Sequence, residues 1–292
     1  MKNLKKSLLE LIRKTSSELP KDIVKAIERG NRSEEPESRG KYALDVIQDN
    51  IRIAREVSLP LCQDTGMISF YIHGPAGFDQ IRFVKEARKA VAEATRIGYL
   101  RQNSVDSLTG FNSGDNLGPG TPVFHFGQWN RKGVEINLIL KGGGCENVSA
   151  QYSLPDIRLN AGRDLTGVQK AILDAVLQAQ GKGCGPGILG VCIGGDRATG
   201  YEHAKKQFLR RLDDRSDDPT LEKLEQRTLE MSNHLGIGPM GFGGKTTLLG
   251  VKASKLNRLP ASFFVSVSYM CWAFRRQGIT VDRMGSIKKW LY

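Results

Sequence analysis

The chain has 292 residues, of which 39% are hydrophobic and 25% charged; this suits one large domain or two closely associated ones and excludes wholesale disorder. Lys and Arg outnumber Asp and Glu by 43 to 31, and the net charge of +12 favours anionic ligands. No stretch approaches the ~18 consecutive apolar residues of a membrane helix, and no zinc-finger or RNA-binding signature accompanies the basic residues. We therefore expect a soluble globular protein whose partners include neither a membrane nor nucleic acid.

The N-terminal stretch is predicted to be an ordinary helix. Residues 1–14 begin basic and then turn apolar, as a targeting peptide does, but Glu10 interrupts the apolar run and no small-residue cleavage site follows. Leu4, Leu8 and Leu11 share one face at helical spacing. We expect an amphipathic helix and a cytoplasmic protein.

Apolar periodicity predicts interleaved helices and strands along the rest of the chain. The predicted helices end at residue 17 or span 22–28, 42–57, 83–97, 165–180, 201–211 and 220–235; the predicted strands are 67–72, 134–140, 187–194, 251–252 and 263–269. Segments 30–40 and 109–122 are predicted loops. The pattern predicts an α/β fold with mixed sheets in a single domain (1–292), with an N-terminal helical part over about 1–60 and an α/β part over about 61–292.

Five cysteines carry the first functional signal: Cys62, Cys145, Cys184, Cys192 and Cys271. Their odd number argues against a disulfide framework, and the lack of a CxxC pair argues against structural zinc. Cys62, Cys184 and Cys271 stand where loops meet predicted strands. Three such thiolates could hold an iron–sulfur cluster with one iron open to substrate, the alternative being that each is a small buried apolar residue.

Seven stretches together resemble the α chain, or N-terminal half, of the iron–sulfur hydro-lyases, class I fumarate hydratase and L(+)-tartrate dehydratase. They are residues 62–66, 113–116, 141–144, 184–195, 235–239, 243–247 and 271–276. The resemblance runs from about residue 20 to about residue 280. It implies the α-region fold of these hydro-lyases and a [4Fe–4S] cluster bound by Cys62, Cys184 and Cys271, with the fourth iron acting as a Lewis acid.

The same resemblance implies roles for residues near the cluster ligands. Asp64 is expected to donate or relay a proton to the leaving hydroxyl and to contact substrate. Gln63 and Arg101 are expected to bind substrate carboxylates, and Gly144 to leave a backbone N–H accessible to an anion. On composition alone, Asp64 also suits an Asx-turn before Gly66.

Two features leave the substrate open. Cys145 resembles tartrate dehydratases, whereas residues 146–147 and 243–247 resemble fumarate hydratases, and Leu259 stands where the family usually places a substrate-contacting His. We expect reversible dehydration of a 2-hydroxy dicarboxylate, with malate and fumarate as first choice and L(+)-tartrate as the alternative. Leu259 also motivates a second hypothesis, a cluster-bearing sensor or regulatory subunit, and the charge alone motivates a third, a nucleic-acid binder with structural cysteines.

The resemblance also implies a partner. Single-chain members of the family continue into a second domain, so this sequence is expected to be the α subunit of a two-subunit enzyme that needs a β subunit, within a homo- or hetero-oligomer. An iron without a protein ligand is expected to be lost in air, so that aerobically prepared protein can lack the cluster.

Overall fold

A computed structural model describes residues 1–292 and contains eight α-helices and nine strands. The helices are α1 (Leu4–Ser17), α2 (Lys21–Ser33), α3 (Arg39–Val57), α4 (Gln80–Arg96), α5 (Gly143–Asn147), α6 (Leu165–Ala179), α7 (Arg197–Lys206) and α8 (Pro219–His234). The strands are β1 (Met67–Gly74), β2 (Val123–Gln128), β3 (Val134–Lys141), β4 (Ala150–Ser153), β5 (Gly187–Ile193), β6 (Leu248–Lys255), β7 (Phe264–Met270), β8 (Arg275–Val281) and β9 (Ile287–Trp290). Three 3-10 helices span Gln180–Gly183, Gln207–Leu209 and Pro239–Gly241. None of the helices combines the length and apolar character needed to cross a bilayer.

The chain divides into two compact units, each assembled from separated segments. Unit 1 comprises residues 1–21, 49–143 and 273–292, and unit 2 comprises residues 22–48 and 144–272. The helices of the N-terminal part are shared between the units: α1 belongs to unit 1 and nearly all of α2 to unit 2. The mixed α/β class with mixed sheets is confirmed, and the single-domain description stays a prediction.

Unit 1 is built on a five-stranded sheet in the order β2-β1-β3-β8-β9. Only the β1–β2 pair is parallel. Helix α1 packs on α4 and against β3 and β8, and its predicted apolar face is confirmed, since Leu4, Leu8 and Leu11 are fully buried. Phe70 and Phe83 meet edge to face within the same core, which therefore joins the sheet to both helices.

Unit 2 is built on a four-stranded sheet in the order β4-β7-β5-β6. Strand β5 lies inside the sheet, parallel to β6 and antiparallel to β7, and almost every residue in it is buried. Burial on both faces explains its continuous apolar run, which the sequence displayed. Helices α6, α7 and α8 pack around the sheet and begin at the N-caps Asp164, Asp196 and Asp218.

Some elements differ from the sequence-based expectation. Strands β2, β4, β8 and β9 and helix α5 were not predicted. The loop prediction for 30–40 was wrong at both ends, because α2 continues to Ser33 and α3 begins at Arg39. The helix predicted at 201–211 begins earlier, at Arg197, where Asp196 caps it, and ends at Lys206. Strand β8 was not predicted because it begins with two arginines, Arg275 and Arg276. Both are buried, and the apolar periodicity of the sequence does not reveal this.

A partly buried ionic network joins α8, β6 and the segment after α7 in unit 2. Arg210 Nη1 lies 2.6 Å from Glu225 Oε1, and Arg210 Nη2 lies 2.9 Å from Asp214 Oδ1. Lys252, which is 4% exposed, places Nζ 2.7 Å from the same Asp214 oxygen. Glu225 also accepts the Ala253 N–H at 2.7 Å. Each buried charge thus has a partner, as a low-dielectric environment requires.

This network predicts a loss of stability in acid. Burial opposes ionisation of Asp214, but the hydrogen bonds and charges of Arg210 and Lys252 outweigh it, and the pKa of Asp214 is lowered. A lowered pKa stabilises the folded state above the unfolded value of about 3.9, and the stabilisation is lost as the pH falls through the folded pKa. We expect the free energy of unfolding, measured in urea from pH 6 down to pH 2, to decline less steeply in Asp214→Asn than in the parent. The exposed Asp217→Asn should decline like the parent; identical slopes in all three proteins would contradict the argument.

Candidate functional site

In unit 1 the loop between α3 and β1 places a thiol and a carboxylate side by side. Cys62 is half-buried and Gln63 is exposed. The Asp64 N–H donates to Cys62 Sγ at 3.4 Å, so the chain turns tightly between the two residues. The loop ends at Gly66, whose φ of +77° and close approach to the Lys141 carbonyl group leave no space for a Cβ. The proposed cluster ligand and the proposed proton donor are thereby held in one rigid turn.

The Asp64 carboxylate accepts three hydrogen bonds from three segments of unit 1. Oδ1 accepts the Gly66 N–H and the Asn103 Nδ2–H, both at 2.8 Å, and Oδ2 accepts the Gly143 N–H at 2.7 Å. The first bond is the Asx-turn that composition suggested. The other two go beyond a turn, because they connect the loop to distant parts of the chain and fix the direction of the carboxylate.

Arg275 also holds the turn at residues 62–66. The sequence analysis did not name it among the site residues. It is 1% exposed at the start of β8, and its Nη1 donates to the Asp64 carbonyl oxygen at 2.6 Å. Its Nε is buried without a hydrogen-bond partner in the structure. The sequence signal available for Arg275 was its place in the family-like stretch 271–276, four residues after Cys271.

Arg101 combines a fixed backbone with an exposed side chain. Its N–H donates to the buried Thr65 Oγ1 at 2.9 Å, and its carbonyl oxygen accepts from Thr65 Oγ1 at 2.9 Å and from Asn116 Nδ2 at 2.8 Å. The guanidinium therefore projects from a rigid base and is available to an anion. Gln63, which precedes Asp64, is likewise exposed.

In unit 2, Cys184 follows a 3-10 helix in a backbone conformation that is unusual for a side-chain-bearing residue. Its φ of 51° and ψ of 56° are left-handed, and the residue is exposed. Its carbonyl oxygen accepts the Trp272 N–H at 3.4 Å, which connects the loop to the residue after Cys271. Left-handed non-glycine residues persist where surrounding contacts hold them, and they cluster at functional sites.

Cys271 lies directly after β7, and Cys145 contacts it. The Cys271 N–H donates to Cys145 Sγ at 3.3 Å, and both residues are largely buried. Burial, and then the negative charges of Cys271, Cys145 and Cys184 as thiolates, raise the pKa of Tyr269. The glycines on both sides of Cys184 pack against Tyr269, which lies two residues before Cys271. The structure also adds Cys145 to this region, a residue that the sequence analysis used only as an indication of substrate type.

The two remaining residues of interest in unit 2 lie at the surface. Gly144 is exposed on α5 and lies close to the Lys182 carbonyl oxygen, beside the Cys184 loop. Leu259 is 73% exposed in the connection between β6 and β7. Its apolar side chain supplies neither a hydrogen bond nor a titratable group at that position.

The donor set matches an iron–sulfur cluster in type. All five cysteines are thiols rather than disulfides, and three of them lie at loop positions, where Cys donors usually hold such clusters. No group of three or more His, Cys, Asp or Glu side chains lies at metal-binding spacing. The thiol donors therefore fit the cluster in chemical type. Because no such group is found, the convergence of all three ligands stays a prediction.

Comparison with known proteins gives a consistent result. The family model for fumarate hydratase (Fumerase) matches residues 5–280. A provisionally named class I fumarate hydratase of Geobacillus stearothermophilus is 52% identical over 296 residues, covering 100% of this chain but 58% of that protein. A provisionally named L(+)-tartrate dehydratase subunit alpha of Methanocaldococcus jannaschii is 34% identical over 92% of this chain and 94% of that protein. The L(+)-tartrate dehydratase subunit alpha of Escherichia coli K12 is 31% identical over 91% of this chain and 86% of that protein. The chain thus spans little more than half the length of the first of these relatives.

The contacts of Asn116 predict that its substitution lowers the stability of the fold substantially, although this residue touches neither the cysteines nor the Asp64 carboxylate. Asn116 is 2% exposed; its Oδ1 accepts the Asn103 N–H at 2.7 Å, and its Nδ2 donates to Thr95 Oγ1 at 2.9 Å as well as to the Arg101 carbonyl oxygen. Asn116→Ala should lower the free energy of unfolding by about 2–4 kcal/mol, because it leaves these buried groups unpaired. It should also speed amide exchange at 101–103.

The matched control for Asn116 is Ser113→Ala in the same loop. Ser113 is exposed, so this change should alter the free energy of unfolding by less than about 0.5 kcal/mol. Denaturant titration measures both variants, and equal losses in the two would refute the role assigned to the Asn116 amide.

Proposed function

Because the chain belongs to the fumarate hydratase (Fumerase) family, we propose that it is the α subunit of an iron–sulfur hydro-lyase that reversibly removes water from a 2-hydroxy dicarboxylate. The observation that carries the proposal is the turn at residues 62–66, which holds a thiol beside a carboxylate fixed by three hydrogen bonds. The hydro-lyase α-region fold belongs to the same proposal, and so does a cytoplasmic location, where reduced thiols persist.

We propose Cys62, Cys184 and Cys271 as the ligands of a [4Fe–4S] cluster. When bound, such a cluster supplies a Lewis acid with one coordination position open to substrate oxygen. The support within this chain is the donor type, the loop position of each thiol and the hydrogen bond from the Trp272 N–H, next to Cys271, to the Cys184 carbonyl oxygen. Cys192 lies fully buried inside β5 and is not part of the set.

The remaining residues perform the proton transfer and the binding. Loss of hydroxide is unfavourable without protonation, and the Asp64 carboxyl group is the proposed donor or relay of the proton that leaves with it as water. Its three hydrogen bonds fix where that proton is delivered. Gln63 and Arg101 expose an amide and a guanidinium that suit the substrate carboxylates, and Gly144 leaves its backbone N–H accessible.

The base that removes the C3 proton is assigned to a β subunit. The tartrate dehydratase relatives are named as alpha subunits, and this chain covers 94% and 86% of their lengths, which supports a separate partner chain. Malate and fumarate are the first-choice substrates because the identity is 52% to a class I fumarate hydratase and 34% or less to the tartrate dehydratases. Tartrate is the alternative, supported by Cys145.

Cluster binding is tested by iron and sulfide analysis after anaerobic reconstitution. We expect about four irons per chain in the parent protein and a large loss in Cys62→Ala, Cys184→Ala and Cys271→Ala. Cys192→Ala is the control, because it removes a thiol without touching a proposed ligand, and it should retain the full content. No iron in the parent, or equal losses in all four variants, would overturn the assignment.

The role of Asp64 is tested in the protein coexpressed with its β subunit. Asp64→Asn should lower kcat by about 100-fold or more while the iron content is retained, because the amide cannot supply the proton. Asn103→Ala is the control: it removes a hydrogen bond to the same carboxylate but leaves the carboxyl group, so it should lower kcat far less.

Two outcomes of the same assay would decide between hypotheses. An Asp64→Asn enzyme as fast as the parent would exclude the proton-transfer role. A parent pair that binds the cluster yet hydrates or dehydrates no dicarboxylate would favour the sensor or regulatory subunit that Leu259 suggests.

A further inference from the structure

Glu34 is a buried carboxylate with no assigned role. It follows α2 and is 6% exposed. It is positioned by the end of a helix, yet all the hydrogen bonds it accepts come from a segment more than two hundred residues later. A buried carboxylate that accepts only backbone N–H groups serves to hold that backbone in place.

The segment held by Glu34 is the glycine-rich loop at residues 243–247. Glu34 Oε1 accepts the Thr246 N–H at 2.7 Å, and both carboxylate oxygens accept the Lys245 N–H, at 3.0 and 3.1 Å. Gly244 has a φ of +134° and lies against Glu34 Oε2 so closely that a Cβ would overlap it. The loop is therefore shaped around the carboxylate.

This loop is bonded in turn to the segment that presents Cys184. The Thr247 carbonyl oxygen accepts the Gly187 N–H at 2.9 Å, and Met240 donates its N–H to the Gly185 carbonyl oxygen at 2.9 Å. Gly181 packs directly against Met240. Both sides of Cys184 are thus tied to residues 240–247, and Cys184 itself keeps a left-handed conformation that requires such support.

We propose that Glu34 is a positioning residue for Cys184: through the 243–247 loop it fixes the backbone that presents this thiol to the cluster. This role rests on the proposed function, because only that function makes Cys184 a cluster ligand whose position matters. It adds to that function a determinant of cluster retention that lies in the N-terminal helical region and does not touch the cluster ligands.

The test compares Glu34→Gln with two other substitutions of glutamate by glutamine in unit 2. Gln has nearly the same shape but offers one acceptor oxygen, and its amide N–H₂ would face a backbone N–H. Glu35→Gln removes the neighbouring exposed carboxylate, which pairs with the Lys245 ammonium group. Glu225→Gln damages the buried network with Arg210 and Lys252, which is not bonded to the Cys184 loop.

Hydrogen exchange of the cluster-free proteins is the first readout. In Glu34→Gln, peptides covering 181–187 and 238–247 should exchange about tenfold faster or more, the effect of losing a charge-assisted hydrogen bond. Glu35→Gln should match the parent, and Glu225→Gln should accelerate exchange near 250–256 without affecting 181–187. If Glu34→Gln folds poorly, Gly244→Ala takes its place in the test. It places a methyl group against the same carboxylate and should accelerate exchange in the same two peptides.

Retention of the cluster is the second readout. In reconstituted protein challenged with an iron chelator, the absorbance near ~400 nm should decay several-fold faster in Glu34→Gln than in the parent or in Glu225→Gln. Parent-like exchange at 181–187 in Glu34→Gln, or equal acceleration in Glu225→Gln, would overturn the positioning role. If the parent binds no iron, the proposed function fails, while the exchange data still decide whether Glu34 holds the Cys184 loop.

Discussion

The carboxylate of Asp64 is the constraint on which the functional part of unit 1 depends. The carboxylate accepts hydrogen bonds from the Gly66 N–H in its own turn, from the Asn103 side chain and from the Gly143 N–H. The backbone carbonyl oxygen of Asp64 accepts a further hydrogen bond from Arg275. Each charge-assisted bond of this kind contributes about 1.5–3 kcal/mol. Four segments that are far apart in sequence thereby meet at one residue, and the thiol of Cys62 lies in the turn that they hold. The backbone of Arg101 is held separately, by Thr65 and Asn116.

Unit 2 follows the same principle with a different carboxylate. Glu34 fixes the 243–247 loop, that loop fixes the backbone on both sides of Cys184, and the Cys184 carbonyl oxygen is bonded to the residue after Cys271. The glycines on both sides of Cys184 pack against Tyr269, and burial raises the pKa of the Tyr269 hydroxyl group. In each unit the reactive groups lie on loops, and buried polar contacts supply the rigidity that the loops lack.

This arrangement suits an elimination of water. The reaction requires an acid at the leaving oxygen, cations or N–H groups for the carboxylates and a base at the neighbouring carbon. The chain presents candidates for the first two, and the third is assigned to the β subunit. Under the proposed function, a chain that contains all the proposed cluster ligands would still need the base of a partner chain for turnover.

Elements with strong apolar periodicity, and the family, could be predicted from the amino-acid sequence. The apolar face of α1 and the continuous apolar run of β5 could be read directly, since burial leaves a regular pattern, and the glycine and cysteine motifs were sufficient to recognise the hydro-lyases. The division into two units and the contacts of four residues became visible only in three dimensions; these residues are Arg275, Asn116, Cys145 and Glu34. Each of these acts through a hydrogen bond to a residue distant in the chain, and no local pattern records which donor a buried acceptor will meet.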